Sequence, residues 1–579
     1  MRARSWVVTV AAGLVLADAS IVTLALPELL RALDTTVEGV AAVIAVYTGV
    51  LAVALLPAER ISRRFGAARV GAAGFALFAL ASAVCAGADT LAVLLTARAV
   101  QAWAGAFALV ATFALIRGGT AAGRRHWLAA AVLASAVGPA LGGALTQAFD
   151  WRAIFVAQIP IALVGALAAL RETPEPASTP LVEDEHESRA SRRADGLALA
   201  LVSAALTAVL FGLVLLLIAG WAVEPLAAAA TVTVLPLAAL LGARVHAPPH
   251  PRALAGCLFV GAGVLALAWL PSASVAWTFA PQALAGVGMG MALPAFAGEL
   301  LPERTTREAA RLLTIRHVGI ALVLIALAPL IAHRLDVVTE RAQEQGVALV
   351  LDARLPPQDK LTLAPALLGG VEAERPRAGL RAALADNGRD YAGEERATYD
   401  RLAKRADDVL VSAVGDAFRV AFLIAGALAL LGALALWLGA ARRAGPVESV
   451  SPTRAHTGLS AGARASSAPP ARSALLALAV ILAVALPLSY AALHAGQEPQ
   501  QVAIQDPCNS RALPGTGGLS GFLQDRALEG LDAAACRYGS SREELVLALA
   551  DEHAARRYER EHGVNPRSLS SVLGNLINP

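Results

Sequence analysis

Long apolar blocks separated by short polar segments dominate the chain up to about residue 494. Each block holds about 18 to 25 residues without a charge near its centre, the length that crosses a bilayer as an α-helix. A membrane β-barrel would instead show weaker, alternating segments of about ten residues. The pattern therefore predicts an all-α polytopic membrane protein with about thirteen membrane helices. The predicted spans are 6–30, 40–57, 70–88, 91–116, 127–148, 153–170, 196–219, 223–242, 253–271, 275–298, 312–333, 417–441 and 473–494.

Arginine residues are concentrated in every second connection between these blocks. Lys and Arg in short loops are retained on the cytoplasmic side, so the bias places the N-terminus in the cytoplasm and the C-terminus outside the cell. We therefore expect a multi-pass protein of the plasma membrane. The cytoplasmic set is Arg60, Arg63, Arg64 and Arg69; Arg117, Arg124 and Arg125; Arg171, Arg189, Arg192 and Arg193; Arg244 and Arg252; Arg304, Arg307 and Arg311; and Arg442, Arg443, Arg454, Arg464 and Arg472.

Two segments without long apolar blocks fall on the outer side by the same count. The first, 336–416, separates the eleventh and twelfth spans, and its pattern predicts short amphipathic helices near 347–351, 361–368 and 399–414. The cytoplasmic segment 442–472 is rich in Ala, Ser, Gly, Pro and Arg. Such a composition cannot bury a core, so this segment is predicted to be a flexible linker.

The second outer segment, 495–579, follows the last span and is predicted to be an ordered helical domain. An amphipathic helix over 522–538 stops at Gly539, a residue suited to a left-handed helix cap. A capping box at Ser541–Glu544 then opens a second helix, which we expect to end near Gly563.

Composition agrees with a membrane protein. The 579 residues are 57% hydrophobic and 16% charged, a balance that excludes a soluble protein of this size. The net charge of +3 gives no argument for a nucleic-acid partner. The first block, 6–30, is longer than the apolar region of a signal peptide, and further spans follow at once. We expect it to be a membrane helix.

The four cysteines divide into two pairs by location. Cys85 and Cys257 lie inside apolar spans, where a small hydrophobic side chain is sufficient explanation. Cys508 and Cys536 lie in the outer terminal segment, an oxidising environment in which we predict a disulfide. Two unpaired thiols are the alternative. The sequence contains no CxxC or HxxxH pattern, and no metal site is predicted.

Three polar residues inside the spans are candidates for transport chemistry. Asp18 lies in the first span, where burial disfavours the charged form, so it is a candidate proton carrier. The alternative is a helix cap or polar contact near the outer end of the span. Arg98 and Gln101 share one face of the fourth span and are candidates for a proton or substrate relay. A structural ion pair or a side chain reaching towards the headgroups is the alternative for Arg98.

Small residues recur in the fifth span as Gly138-Pro139 and Gly142-Gly143. Their spacing of about one helical turn allows close approach of another backbone, and the proline predicts a bend. Simple packing of small residues is the alternative, and it is compatible with two halves that rock against each other.

Taken together, these residues resemble the major facilitator superfamily, in particular its drug:proton antiporter branch of multidrug efflux proteins. The resemblance covers about the first 170 residues, in order and spacing. It rests on Asp18 with Ala25-Leu26-Pro27, on Arg98 with Gln101, on Gly138-Pro139-Ala140-Leu141-Gly142-Gly143, and on Trp151-Arg152, Ile154-Phe155 and Pro160.

The resemblance implies two six-helix bundles that rock about a central cavity, with export of a small molecule coupled to proton entry. No cofactor is implied, because the proton gradient supplies the energy. The corresponding domains are 1–170 (N-terminal bundle), 171–195 (cytoplasmic central loop), 196–335 with 417–441 (C-terminal bundle), 336–416 (extracytoplasmic insertion), 442–472 (linker), 473–494 (additional membrane helix) and 495–579 (extracytoplasmic helical domain).

The loop motif after the second span departs from the family pattern. The loop after the second span is expected to read Gly-x-x-x-Asp-Arg-x-Gly. Here Glu59 occupies the first Gly position and Arg63 the Asp position, followed by Arg64 and Gly66. The conformational latch that the motif supplies is therefore altered.

Two functions follow from these observations. The first is a proton-coupled exporter of small amphipathic molecules, whose partners are its substrate and the lipid bilayer. The alternative is a degenerate, non-transporting membrane protein that displays 336–416 or 495–579 to an extracytoplasmic protein partner. An enzyme is not predicted, since the sequence contains no nucleophile elbow or phosphate-binding loop.

Overall fold

A computed structural model of the chain describes residues 2–172, 189–301, 303–355, 360, 376–391, 393–443, 470–496, 502–515 and 518–568, and every structural statement below concerns those residues. The predicted helix near 361–368, most of the linker 442–472 and most of the central loop 171–195 lie outside them.

Most of the described residues are helical, as the apolar pattern predicts. Twelve stretches are long and apolar enough to cross a membrane, and α6 covers the remaining predicted span. The helices are α1 (Arg2–Thr23), α2 (Leu26–Ala32), α3 (Val37–Phe65), α4 (Ala67–Ala86), α5 (Leu91–Leu115), α6 (Ala121–Ala148), α7 (Arg152–Arg171), α8 (Arg189–Leu215), α9 (Pro225–Val232), α10 (Val234–Gly242), α11 (Pro249–Ala266), α12 (Val275–Phe296), α13 (Thr306–Asp352), α14 (Pro376–Asn387), α15 (Gly393–Arg443), α16 (Pro470–Ala495), α17 (Gly518–Tyr538), α18 (Arg542–Ala550) and α19 (Glu552–His562).

The membrane helices form two bundles. The first half contains α1 and α3 to α7, and the second contains α8 to α13 with α15, where α9 and α10 together make one crossing. The halves meet along two helix pairs, α3 with α13 and α6 with α9. Thr314 on α13 donates to the Ala52 carbonyl on α3 at 3.2 Å, and the Leu226 backbone N–H donates to Gln147 on α6 at 2.8 Å. The prediction of two six-helix bundles is confirmed.

The first predicted span is interrupted. The chain turns at Leu24 and Ala25 before the short helix α2 begins. Pro27 explains the break, because it has no N–H to donate to the Thr23 carbonyl and its ring would clash with that carbonyl in a continuous helix. The predicted single span 6–30 is therefore a membrane helix that ends at Thr23, followed by a separate helical turn.

Two membrane helices are much longer than the bilayer is thick. α13 has 47 residues and α15 has 51. At a rise of about 1.5 Å per residue each is at least about 70 Å long, more than twice the roughly 30 Å of a hydrocarbon core. The short helices predicted near 347–351 and 399–414 are the ends of these two helices. Polar residues alone do not stop a helix, and the α15 sequence contains no proline.

The thirteenth membrane helix, α16, packs on the outside of the second bundle against α11. Tyr490 Oη donates to the Trp277 carbonyl at 2.9 Å. His494 Nδ1 lies 2.9 Å from the Leu270 carbonyl, an acceptor, so Nε2 accepts from Arg419 at 2.6 Å. Most of its apolar side chains face outwards, which suits a helix in contact with lipid. The prediction of one appended membrane helix is confirmed.

The terminal segment folds into three helices. Gly539 has φ +67° after α17, and Ser541 with Glu544 forms the predicted capping box. The predicted helix from Ser541 to Gly563 is two helices, because Asp551 adopts an extended conformation and its carboxylate accepts from the Ala554 N–H at 2.8 Å. Asp551 thus caps α19 and ends α18.

This terminal domain packs on the far end of α13. Val347 and Leu351 of α13 share an apolar cluster with Leu528 and Leu547. Arg542, fully buried, places Nη2 2.7 Å from Asp352 Oδ1 on α13. The two segments that the sequence treats as separate outer pieces therefore contact each other through both apolar and charged side chains.

Candidate functional site

Four polar side chains form a closed circuit inside the first bundle. Asp18 lies on α1, Arg98 and Gln101 on α5, and Gln158 on α7. Arg98 Nη1 lies 2.5 Å from Asp18 Oδ2 and donates to Gln101 Oε1 at 2.7 Å. Gln101 Nε2 donates to Gln158 Oε1, and Gln158 Nε2 donates to Asp18 Oδ1, both at 2.8 Å. One carboxylate and one guanidinium thus join three helices.

The circuit is sealed from solvent. Asp18, Arg98 and Gln101 are 0% exposed and Gln158 is 1% exposed. An ion pair at such a site is stable only when each charge has its partner, because removing either one leaves an uncompensated buried charge. Arg98 therefore does not reach the membrane surface, and in this conformation Asp18 and Arg98 act as one unit.

Aromatic side chains enclose the guanidinium. The Arg98 Cζ atom lies 4.2 Å from the ring centroid of Tyr47 and 5.7 Å from that of Phe155. Tyr47 Oη donates to the Val15 carbonyl at 2.9 Å, which fixes the ring between α3 and α1. Arg98 Nε donates to the Val43 carbonyl at 3.3 Å, while Nη2 has no hydrogen-bond acceptor among the described groups. Cation–π contact with Tyr47 adds to the stabilisation of the charge.

Three members of this site were not predicted from the sequence. Gln158 completes the circuit, Ser82 accepts from Gln101 Nε2 at 2.8 Å, and Tyr47 covers Arg98. Gln158 carried a usable signal, because it is the single strongly polar residue of α7 between Arg152 and Arg171. Ser82 and Tyr47 carried none, since both residue types are common in membrane helices.

The glycines of the fifth span contact two different neighbours. A Cβ at Gly138 would lie 3.1 Å from Ser20 Cβ, and one at Gly142 would lie 2.3 Å from the Ile21 carbonyl, both on α1. A Cβ at Gly143 would instead lie 2.3 Å from Ala229 Cβ on α9, in the other half. Pro139 is buried inside α6, which continues to Ala148. Two adjacent glycines therefore let α6 pack closely on both halves: Gly142 against α1 of its own bundle and Gly143 against α9 of the other.

The loop motif after α3 makes local contacts. Glu59 is buried and pairs with Arg63, whose Nε lies 2.7 Å from Glu59 Oε1 within the same helix. Arg64 lies over the ring of Phe65, and Gly66, with φ +89°, joins α3 to α4. The Glu59–Arg63 ion pair of this motif therefore stays within α3.

Cys508 and Cys536 are bonded to each other, with their Cα atoms 5.0 Å apart. The bridge ties the segment that carries Arg511 to α17. Arg511 Nη1 reaches Glu543 Oε1 at 3.0 Å, and Glu543 also pairs with Arg542 at 3.0 Å. The disulfide thus holds one of the two arginines that surround a fully buried carboxylate.

Replacing Cys508 with serine is expected to lower the stability of the terminal domain by about 2–4 kcal/mol, because the unfolded chain gains freedom and Arg511 is no longer held in place. Thermal unfolding of the purified protein, with and without reductant, measures the effect. Cys257→Ser, at a buried free thiol in the second bundle, is the matched control. It keeps the Cys508–Cys536 disulfide and should lose stability in reductant as the wild type does, whereas Cys508→Ser should not respond to reductant. Alkylation of both Cys508 and Cys536 under non-reducing conditions would contradict the disulfide.

One group in the terminal domain has the composition of a metal site, although the sequence predicts none. Ligand atoms of Glu544, Glu561 and His562 lie within 4.8 Å of one another. His562 Nε2 is already hydrogen-bonded to Glu544 Oε1 at 3.0 Å, and the other oxygen of Glu544 closes the capping box. These contacts account for the arrangement by themselves.

Comparison with known proteins places this architecture in a family. A family model described as Major Facilitator Superfamily matches residues 8–329. The methylenomycin A resistance protein of Streptomyces coelicolor is 32% identical over 254 residues, which are 42% of this chain and 51% of the relative. The multidrug resistance protein Stp of Mycobacterium tuberculosis is 33% identical over 150 residues, 25% of this chain and 28% of Stp. The drug efflux pump JefA of the same species is 29% identical over 174 residues, 28% of this chain and 34% of JefA.

Solved structures agree on the fold. A bacterial homolog of the human lysosomal transporter Spinster, in an inward-facing and occupied conformation, superposes with a TM-score of 0.54 at 14% identity. The superposition covers 75% of this chain and 96% of that one. At this identity the likeness concerns the fold alone, and the curated relatives are matched over about half of their length or less. The match to residues 8–329 spans more than half of the 579 residues, and with two six-helix bundles it shows that the chain belongs to the Major Facilitator Superfamily.

Proposed function

We propose that this chain is a secondary transporter of the plasma membrane that exports small amphipathic molecules by alternating access and couples export to proton entry. The observation that carries the proposal is the fully buried Asp18–Arg98 pair within a circuit that joins α1, α5 and α7. Asp18 is the residue assigned to the coupling proton. No cofactor is needed, because the proton gradient supplies the free energy.

The physical chemistry of the pair supports coupling between protonation and conformation. If Asp18 takes up a proton while Arg98 stays in place, the guanidinium is left as an uncompensated buried charge, which costs several kcal/mol. Protonation is therefore favourable only in a conformation where water or another acceptor reaches Arg98. The proposed proton uptake by Asp18 is therefore assigned to a conformation in which the Asp18–Arg98 pair is open to water.

The names of the relatives support a drug-like substrate. Three of the matched proteins are a methylenomycin A resistance protein, a multidrug resistance protein and a drug efflux pump. These names favour transport over the alternative of a degenerate protein that only displays its outer segments. The arginine distribution supports a cytoplasmic N-terminus and an outer C-terminal domain.

Proteoliposomes with an imposed pH gradient test the proposal. With a fluorescent amphipathic cation such as ethidium as the probe, the wild-type protein should move the probe against the proton flow and stop when an ionophore collapses the gradient. Asp18→Asn should reduce gradient-driven movement to the background of empty vesicles, because residue 18 then no longer titrates.

Asp89→Asn is the matched control. Asp89 also pairs with an arginine, Arg152, at 3.3 Å, but its side chain is 89% exposed, so its loss should leave transport unchanged. Retention of gradient-driven transport by Asp18→Asn, in protein that is monodisperse after purification, would exclude Asp18 as the coupling residue.

A further inference from the structure

The two halves also touch at the end of α6 opposite to the Gly143 contact. Arg124 and Trp127, in the first turns of α6, meet the connection between α12 and α13. Arg124 Nη1 donates to the Gly298 carbonyl at 3.4 Å, and a Cβ at Gly119 would lie 2.2 Å from the Arg304 carbonyl. We call this set of residues, together with Glu303, the Glu303 contact.

Glu303 is buried at the centre of this contact. It is 9% exposed, although it lies in a connection between helices, and it belongs to the second half. The Trp127 indole N–H of the first half donates to its carboxylate. Trp127 is itself 5% exposed and packs edge-on against Phe113 at 5.2 Å between centroids. A carboxylate of one half therefore takes its hydrogen bond from an aromatic side chain of the other.

Charged groups face Glu303 from both halves. Arg124 approaches from α6, Arg316 from α13, and Glu308 from the first turn of α13. Arg124 is exposed and Arg316 is partly buried. Neither is a hydrogen-bonded partner of Glu303 in the described contacts, so the carboxyl group sits among cations without a bidentate ion pair.

The acid of the loop motif after α3 is not available for this role, because Glu59 is paired with Arg63 on the same helix. At the position where the family pattern has Asp, this chain has Arg63, and its partner Glu59 lies on the same helix. Among the residues named at the Glu303 contact, Glu303 is the carboxyl group whose hydrogen bond crosses between the halves.

We propose that Glu303 is a second proton site, at which a bound proton holds the two halves together and loss of that proton opens the Glu303 contact. This inference rests on the proposed proton coupling and extends it. By the arginine distribution the contact lies on the cytoplasmic side, so the proton released here enters the cytoplasm. Asp18 and Glu303 then occupy successive positions along the path of the coupling proton.

The titration of Glu303 agrees with this role. Burial raises the pKa of Glu303 from 4.5 to about 7, although the Trp127 hydrogen bond, Arg124 and Arg316 each lower it. A hydrated Glu303 in the open state has the ordinary glutamate pKa of 4.5. The closed contact therefore binds the proton more tightly than the open one. The closed contact becomes more stable relative to the open one as pH falls from 7 to 4.5, and this extra stability is absent above pH 7. Over that range the closed-to-open ratio changes by roughly two orders of magnitude.

Distance measurement across the contact tests the proposal without any substrate. Arg64, near the end of α3, and Arg307, in the first turn of α13, are exposed and belong to different halves. Spin labels at Arg64→Cys and Arg307→Cys react selectively, because Cys85 and Cys257 are buried and Cys508 is bonded to Cys536. In lipid nanodiscs, double electron–electron resonance should give a short distance at low pH and a growing longer population, with a midpoint between pH 4.5 and 7.

Glu303→Gln should keep the short distance at every pH, since the amide is neutral like the protonated acid. Glu299→Gln is the matched control, because Glu299 lies in the same connection but pairs with Arg252 inside the second half. It should follow the wild-type curve. Trp127→Phe removes a donor that stabilises the carboxylate, so its midpoint should move to higher pH.

A Glu303→Gln variant that opens with the wild-type pH dependence would overturn the proposal, as would an unchanged midpoint in Trp127→Phe. These outcomes are independent of the transport assay. A pH-dependent distance in a protein that moves no probe would count against the proposed transport function while supporting the second proton site.

Discussion

Replacing Arg98 with methionine is expected to destabilise the folded protein by about 3–5 kcal/mol, because Asp18 is left charged and unpaired in a fully buried site. The Gln158 amide remains as its one hydrogen-bond donor in the circuit and does not neutralise the charge. The expected result is a large fall in the thermal unfolding midpoint of the purified protein in detergent, together with loss of transport.

The double variant Asp18→Asn with Arg98→Met separates stability from function. Removing both charges leaves a neutral site of similar volume, so most of the lost stability should return while transport stays absent. Arg152→Met is the control, since Arg152 is partly exposed and its pair with Asp89 is worth at most about 1 kcal/mol. If Arg98→Met melts like the wild type, or the double variant melts no higher than the single one, the pair does not stabilise the first bundle.

Adjacent glycines in α6 should give opposite results when each receives a methyl group. Gly142→Ala places a Cβ 2.3 Å from the Ile21 carbonyl oxygen of α1, inside the first bundle. This substitution should cost about 1–3 kcal/mol of stability through overpacking. Gly143→Ala places a Cβ against Ala229 and Pro225 of the other half. The halves can relieve that clash by moving apart, so stability should change little and the α6–α9 contact should open.

Two measurements distinguish these outcomes. Thermal unfolding reports the loss of stability in Gly142→Ala, and labels at Phe149 and Leu226, which are exposed on opposite halves, report the separation at this end. Gly143→Ala should lengthen the labelled distance, and Gly142→Ala should not. Gly346→Ala is the control, because nothing lies within 4 Å of a Cβ at that position. Identical behaviour of the two α6 variants would contradict the assignment of the glycines to different contacts.

Sequence alone predicted the membrane architecture because long apolar blocks leave few other structures. It also selected Asp18 and Arg98, since charges inside such blocks are rare enough to stand out. It did not predict that Gln158 connects them, because a relation between α1, α5 and α7 depends on how the helices are rotated in the bundle. The local sequence pattern does not specify how each helix is rotated about its own axis.

The outer segments show a second limit. Polar composition led to short separate helices near 347–351 and 399–414, where α13 and α15 in fact continue. Water and lipid both accommodate a helix, so a change from apolar to polar residues marks the membrane boundary and not the end of the helix. Glu303 was missed for a related reason, because a carboxylate in a short connection gives no sign that another loop will bury it.

The length of α13 links distant events. Its first turns carry Glu308, which faces Glu303, and Thr314, which bonds to α3. Its last turn holds the terminal domain through Asp352 and Leu351. A helix of about 70 Å that pivots by about 5° carries its tip sideways by roughly 6 Å. If the two bundles rock as proposed, α13 would move the disulfide-bonded domain sideways, so that a partner bound to that domain would oppose the rocking motion.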